Sequence, residues 1–222
     1  HLSIRRQRQM CIRDSETTGI VYGDRMTTID AACNSFGQTI NVNMMQMMAA
    51  YCSIINGGML YQPHIVKRIE SANGEVVKEY KANLVRQTIT ASTSKLLRRY
   101  LKNTVEEGTA KKAGVTGYSV AGKTGTAQKG DRKDNKWIIS FIGHAPAENP
   151  KFAIYVVIDE PYGTTGTSGS SADVLTLTHN ILEKLLPYMN VYKDASDEYE
   201  DTSSSPDELT VDGIPAGTAS SN

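Results

Sequence analysis

Four residues have types and spacing that could do chemistry: Lys123, Thr124, Gly125 and Thr126. They lie in the run Val120-Ala121-Gly122-Lys123-Thr124-Gly125-Thr126-Ala127-Gln128. Lys123 carries a fixed positive charge. Thr124 and Thr126 are two apart, so on a strand their hydroxyls share a face. Gly122 and Gly125 lack a Cβ, so a partner can approach the backbone closely. A strand edge of this kind suits an anionic, peptide-like ligand lying alongside it. The bland alternative is a strand and turn with no chemistry, because short motifs arise by chance.

A second chemistry competes for the same residues. Gly117-Tyr118-Ser119-Val120-Ala121-Gly122-Lys123-Thr124 fits the phosphate-binding pattern G-x-x-x-x-G-K-[ST] at every required position. Ile154 to Glu160 imitates the apolar strand ending in acid that would hold magnesium. A phosphate loop, however, follows a buried strand and opens a helix at its lysine, because the helix N-terminus binds the phosphate. Glu106 to Gly114 contains no apolar run, and Gly125 to Lys136 has no apolar face to bury. The context therefore rejects the phosphate loop in favour of a strand.

The elements that must position the strand read as follows. Asp30 to Gln38 leads into a helix start, and Asn43 with Gln46 forms a capping box. Met44, Met47, Met48, Tyr51, Ile54 and Ile55 recur at helical spacing as a core stripe, and Asn56-Gly57-Gly58 stops the helix. Pro63 to Ile69 reads as a strand, Asn73-Gly74 as a hairpin turn, and Glu75 to Tyr80 as the return. A second helix starts at the cap Thr90 and buries Leu97, Leu101 and Val105, with Tyr100 and Thr104 beside them; Gly108 ends it. After the Lys123 strand come strands at Trp137–Gly143 and Phe152–Asp159, giving three sequential antiparallel strands. Their near-continuous apolar character predicts cover on both faces. Gly163 to Ser171 is a loop. A helix from Ala172 to Leu186 turns Val174, Leu177, Ile181, Leu182 and Leu185 inward, and Pro187 stops it.

Composition narrows the class. Lysine plus arginine (24) balance aspartate plus glutamate (24), so no global charge points to nucleic acid. No apolar run is long enough to cross a bilayer. The three cysteines are widely spaced and the four histidines scattered, so no metal site and no cofactor is expected. Three divisions are expected. Residues 1–15 are a basic segment that reads as a disordered end or a cloning or assembly scar. Residues 16–190 form the folded part, and residues 191–222 an acidic disordered tail or linker.

From Glu16 to Tyr192 the chain resembles the C-terminal half of the transpeptidase domain of class B penicillin-binding proteins, of the division and sporulation type. The resemblance rests on an ordered set of motifs. These are Thr18-Gly19-Ile20, Phe36-Gly37-Gln38, Asn56-Gly57-Gly58, Gln62-Pro63-His64, Glu107-Gly108-Thr109, the Ala121–Gln128 run, Ser140-Phe141-Ile142-Gly143 and Ala145-Pro146. It implies an α/β (α+β) fold like part of the penicillin-binding-protein and serine β-lactamase fold, with an antiparallel sheet covered by helices. It implies a D,D-transpeptidase that cross-links peptidoglycan stem peptides through a serine acyl-enzyme. In that scheme Lys123 attracts the substrate carboxylate and supports proton traffic, and the Thr124 and Thr126 hydroxyls bind that carboxylate. The Thr126 N–H is an oxyanion donor, and Gly125 lets the substrate backbone pair with the strand. Expected partners are stem peptides, β-lactam antibiotics and the cell-wall synthesis machinery, at the extracytoplasmic face of the cell membrane.

The resemblance also implies S-x-x-K and S-x-N motifs upstream. Ser92-Thr93-Ser94-Lys95 fits the first as text, but it falls at a helix start, where serine is favoured for backbone hydrogen bonding. Ser71-Ala72-Asn73 fits the second, but at the hairpin bend. Both are rejected as sites. The chain is thus expected to be a portion without its nucleophile, inactive and poorly soluble on its own. Other readings of the same fold are a carboxypeptidase, a β-lactamase or a β-lactam sensor. A P-loop ATPase is the reading from an unrelated class.

Overall fold

A computed structural model of the chain describes residues 19, 23–35, 37, 40–129, 136–161 and 170–195. The expectations for residues 1–15, the 130–135 connection, the loop from Gly163 and the tail from Ser196 fall outside the described residues. So do Thr18, Ile20, Phe36 and Gln38.

Helix α1 (Thr28–Asn34) is closed by a capping box in which Thr27 Oγ1 accepts from the Asp30 N–H and Asp30 Oδ2 accepts from the Thr27 N–H. Helix α2 (Met44–Ile55) has the expected box: Asn43 Oδ1 accepts from the Gln46 N–H at 2.8 Å and Gln46 Oε1 from the Asn43 N–H at 3.0 Å. Four short strands follow: β1 (Met59–Tyr61), β2 (Arg68–Glu70), β3 (Val76–Glu79) and β4 (Leu84–Gln87). β2 pairs with β3 around the Asn73-Gly74 turn, and β1 pairs with β4, both antiparallel. Helix α3 (Ala91–Glu106) starts at Thr90, whose Oγ1 accepts from the Thr93 N–H at 3.1 Å. Strands β5 (Ala121–Lys129), β6 (Lys136–Ala145) and β7 (Phe152–Asp159) form one antiparallel sheet in that order, and helix α4 (Ala172–Tyr188) follows.

The core lies between this sheet and α4. Ile139, Phe141 and Ala145 alternate along β6 and pack with Val174, Leu175, Leu182 and Leu186. Val105 of α3 and Val115 and Val120 of the β5 lead-in complete it.

Several expectations are corrected. On α4 the buried face is Val174, Leu175, Thr178, Leu182 and Leu186, whereas Leu177 and Ile181 are exposed. Thr178 can face inward because its Oγ1 donates to the Val174 carbonyl at 2.7 Å, so no hydroxyl is left unpaired. Pro187 lies inside the last turn rather than beyond it. On α3 only Val105 of the expected apolar stripe is fully buried, and Tyr100 is exposed. The other buried residue of α3 is Ser94, which serves the end of α2: its Oγ donates to the Ile54 carbonyl at 2.5 Å and accepts from the Gly57 N–H at 3.0 Å. Arg98 Nη1 donates to the Ile55 carbonyl at 2.8 Å. The last carbonyls of a helix need such donors. The methionine stripe of α2 is not core at its start: Met44 and Met47 are exposed, and burial begins at Tyr51. Pro63 to Lys67 are not in a strand. Val191 is buried and Asp194 is hydrogen-bonded to the body, so the folded part runs past residue 190.

Candidate functional site

β5 is an edge strand: β6 pairs with it on one side, and no described strand pairs with the other. Register places Thr124 opposite Phe141, Gly125 opposite Ser140 and Thr126 opposite Ile139. Directly paired residues share a face. Thr124 and Thr126 therefore share a face, as their spacing predicts, and it is the face of the buried Phe141 and Ile139. Lys123 and Gly125 lie on the opposite face with Ile142 and Ser140. Lys123 and Thr126 are exposed, and Thr124 and Gly125 half-buried. The lysine side chain bends back along the strand. Its Nζ donates to the Thr124 carbonyl at 3.0 Å and lies 3.5 Å from Thr124 Oγ1. A charge from one face and a hydroxyl from the other thus meet at the strand. That arrangement can hold a carboxylate by charge and hydrogen bond together.

The two glycines do different work, which corrects the reading that both leave room for a ligand. A Cβ at Gly122 would sit 2.3 Å from the Phe141 ring and 2.6 Å from the Ile142 carbonyl oxygen. That space is used by the protein's own core. A Cβ at Gly125 would meet only Ser140 Oγ, at 2.7 Å. Ser140 is half-buried, so Gly125 and Ser140 form an open step on the Lys123 face.

The sheet end beside the site is fixed by a buried polar relay. His144, opposite Ala121 in register, has no exposed surface. Its Nε2 lies 3.1 Å from the Ala147 carbonyl and must donate to it, so Nδ1 accepts from the Tyr51 hydroxyl at 2.8 Å. Burial pushes the His144 imidazole down to about 4, against a smaller opposing effect of the Ala147 carbonyl. Burial pushes the Tyr51 phenol up. The relay ties α2 to β6 and stays neutral near pH 7. No sequence signal marked it, because a lone histidine in an apolar strand has no spacing to read.

The rejected text matches stay apart from β5. Ser92 is an exposed first-turn residue of α3 whose Oγ lies 2.9 Å from Thr90 Oγ1, and Lys95 is exposed. Ser71 and Asn73 hydrogen-bond each other at the β2–β3 bend. Lys123 and Thr124 sit inside a strand, so no helix N-terminus offers a phosphate site there. Among the described residues no group of three or more His, Cys, Asp or Glu could hold a metal. None of their helices is long and apolar enough to cross a membrane. A cavity of about 490 Å³ opens between the end of α2, α3 and the β6–β7 turn, and none of Lys123 to Thr126 lines it.

Comparison with known proteins agrees with this architecture. The family model described as penicillin-binding protein transpeptidase domain matches residues 13–183. Stage V sporulation protein D of Bacillus subtilis is 40 % identical over 181 residues, covering 79 % of this chain and 28 % of that protein. The probable peptidoglycan D,D-transpeptidase PenA of Neisseria flavescens is 33 % identical over 177 residues, covering 75 % of this chain and 42 % of PenA. The solved structure of penicillin-binding protein 3 from Mycobacterium tuberculosis in complex with ampicillin superposes with a TM-score of 0.71 at 30 % identity, covering 83 % of this chain and 43 % of that one. The chain thus spans less than half the length of each of these relatives. It belongs to the transpeptidase-domain family of the class B penicillin-binding proteins.

Proposed function

We propose that this chain supplies the carboxylate-binding wall of a serine D,D-transpeptidase that cross-links peptidoglycan stem peptides. The observation that carries the reading is the edge strand β5, with the Lys123 ammonium drawn to Thr124 and an open step at Gly125. Lys123 attracts the terminal carboxylate of the stem peptide. The Thr124 and Thr126 hydroxyls hydrogen-bond it, and the Thr126 N–H donates to the oxyanion. A peptide extended along β5 pairs with its free edge at Gly125. The relative crystallised with ampicillin supports β-lactams as ligands of this domain.

The nucleophilic serine is proposed to lie outside these 222 residues, in the portion by which the relatives are longer. The sheet face that carries Lys123 supports this. On β6, Ile138 and Ile142 of that face are only half-buried, while the α4 face of the same strand is closed. An element that brings the serine to Lys123 would cover them. The parent protein is proposed to work at the extracytoplasmic face of the cell membrane with other cell-wall synthesis proteins. A carboxypeptidase, β-lactamase or β-lactam sensor would use the same wall, differing in what resolves or reports the acyl-enzyme.

Fluorescent penicillin tests the reading. The 222-residue chain is expected to take no covalent label. The protein expressed with the coding sequence upstream of His1 is expected to be labelled on a serine of an S-x-x-K motif. Covalent label on the 222 residues alone, or an upstream sequence without that motif, overturns it.

A further inference from the structure

The matched family domain ends at residue 183, yet a segment beyond it grips the lead-in to the site strand. After α4 the chain turns at Asn190, buries Val191 and runs alongside Gly117 to Ser119. The Asp194 and Ala195 N–H groups both donate to the Gly117 carbonyl, at 3.0 and 3.2 Å. The Asp194 carboxylate answers with both oxygens. Oδ1 accepts from the Ser119 N–H at 2.7 Å, and Oδ2 accepts from the Ser119 hydroxyl. Ser119 Oγ in turn accepts from the Ala147 N–H at 2.9 Å, in the turn between β6 and β7. Gly117 has φ +80, and the Lys193 side chain crosses it so closely that a Cβ there would lie 2.7 Å from Lys193 Cδ. Only glycine gives both that backbone and that contact.

Ser119 precedes Lys123 by four residues, with only buried Val120, Ala121 and Gly122 between. The four positions are stiff, since β5 is already paired from Ala121. We infer that Asp194 is a positioning residue for the Lys123–Thr126 wall, a latch that holds the start of β5 in place. This rests on the proposed function for its catalytic consequence, and on the geometry alone for its structural one. A charged acceptor taking two hydrogen bonds from one residue fixes orientation as well as distance. Removing it leaves the Ser119 N–H and hydroxyl without their acceptor, so the lead-in gains freedom and the wall loses its set angle to the substrate. Small misplacements of this kind weigh heavily on rate.

Two measurements test the latch separately from the proposed function. The first is amide hydrogen exchange on the full-length protein. Asp194→Ala is expected to speed exchange at residues 119–124 by at least about tenfold while β7 and the centre of α4 stay protected. Unchanged exchange at 119–124 overturns the latch whatever the enzyme does. If Asp194→Ala does not fold, Asp194→Asn, which keeps the acceptor for the Ser119 N–H, is read instead and is expected to show a smaller rise at the same amides. The second is acylation of the full-length protein by a penicillin and by its methyl ester. Asp194→Ala is expected to slow the free acid by about tenfold or more and the ester by much less, because the ester has no carboxylate for the wall to place. Equal losses on both, or none on either, overturn the positioning role. Failure of the wild-type protein to be acylated at all counts against the proposed function and leaves the exchange result to decide the latch.

Discussion

The two faces of the β5–β6–β7 sheet differ more than their sequences do. Along β6, Ile139 and Phe141 are completely buried against α4, while Ile138, Ser140 and Ile142, one step over, are half-buried. Both rows are mostly apolar, yet only one is closed over its length; α2 covers the other at its His144 end alone, among the described residues. The closed face makes the fold, and the open face carries Lys123, the Gly125 step and room for a further element. On β6 closed and half-open positions thus alternate residue by residue, while on β5 the side chains proposed to meet a ligand come from both faces, Lys123 from the open one and Thr124 and Thr126 from the row of Phe141 and Ile139. Substitutions only one position apart should therefore separate stability from binding.

The largest effect is expected on the closed face. Phe141→Ala removes a fully buried ring that also fills the space above Gly122, and should cost about 3–5 kcal/mol in urea unfolding. A loss below about 1 kcal/mol would mean that the two faces are equally loose. Acid should act next, through His144 at the end of the Lys123 face that α2 covers. Its folded-state value is about 4 against 6.5 for the free group. The unfolded chain therefore takes up the proton first, and stability present above about pH 6.5 is lost as pH falls toward 4. The loss amounts to roughly 3 kcal/mol at the acid end. His144→Gln should flatten that part of the stability–pH curve; an unchanged slope would remove His144 as its source.

The glycine pair gives the sharpest contrast at smaller scale. Gly122→Ala drives a Cβ into the Phe141 ring and the Ile142 carbonyl and should cost about 1–3 kcal/mol. Gly125→Ala meets only a serine hydroxyl, which can rotate away, and should cost under about 1 kcal/mol. Equal costs would mean that the Gly125 step is as closed as the core.

Much of this was legible in the sequence. The caps at Asn43 and Thr90, the Asn73-Gly74 turn and the three sequential strands were read correctly, because each depends on neighbours in the chain. The Lys123 strand was placed correctly for the same reason. What was missed depends on contacts distant in sequence. On α4 Val174 and Leu182 are buried as expected, but Thr178 and Leu186 take the places expected of Leu177 and Leu185, because Thr178 satisfies its hydroxyl on its own helix and can then face inward. The β1–β4 pair was missed, since three- and four-residue strands carry too little periodicity to read. Helix α1 has no buried residue and so no apolar face to mark it, and Asp30 to Gln38 reads in the sequence only as the lead into a helix start. Ser94, Tyr51–His144 and Asp194–Ser119 bridge between 40 and 93 positions of chain, and no local pattern announces them. The roles of Gly122 and Gly125 looked alike in the sequence and were separated only by what lies opposite each.

Lys123 offers the most direct measurement of the central claim. Its side chain is exposed and hydrogen-bonds its own neighbour Thr124, so Lys123→Ala should change unfolding free energy by no more than about 0.5 kcal/mol. In the full-length protein, the second-order rate of acylation by a penicillin should fall by about 10²–10³ in the same variant. That pairing, unchanged stability with a large loss of rate, is the predicted result. A Lys123→Ala protein acylated at the wild-type rate would show that β5 is a structural edge and not the wall of the site.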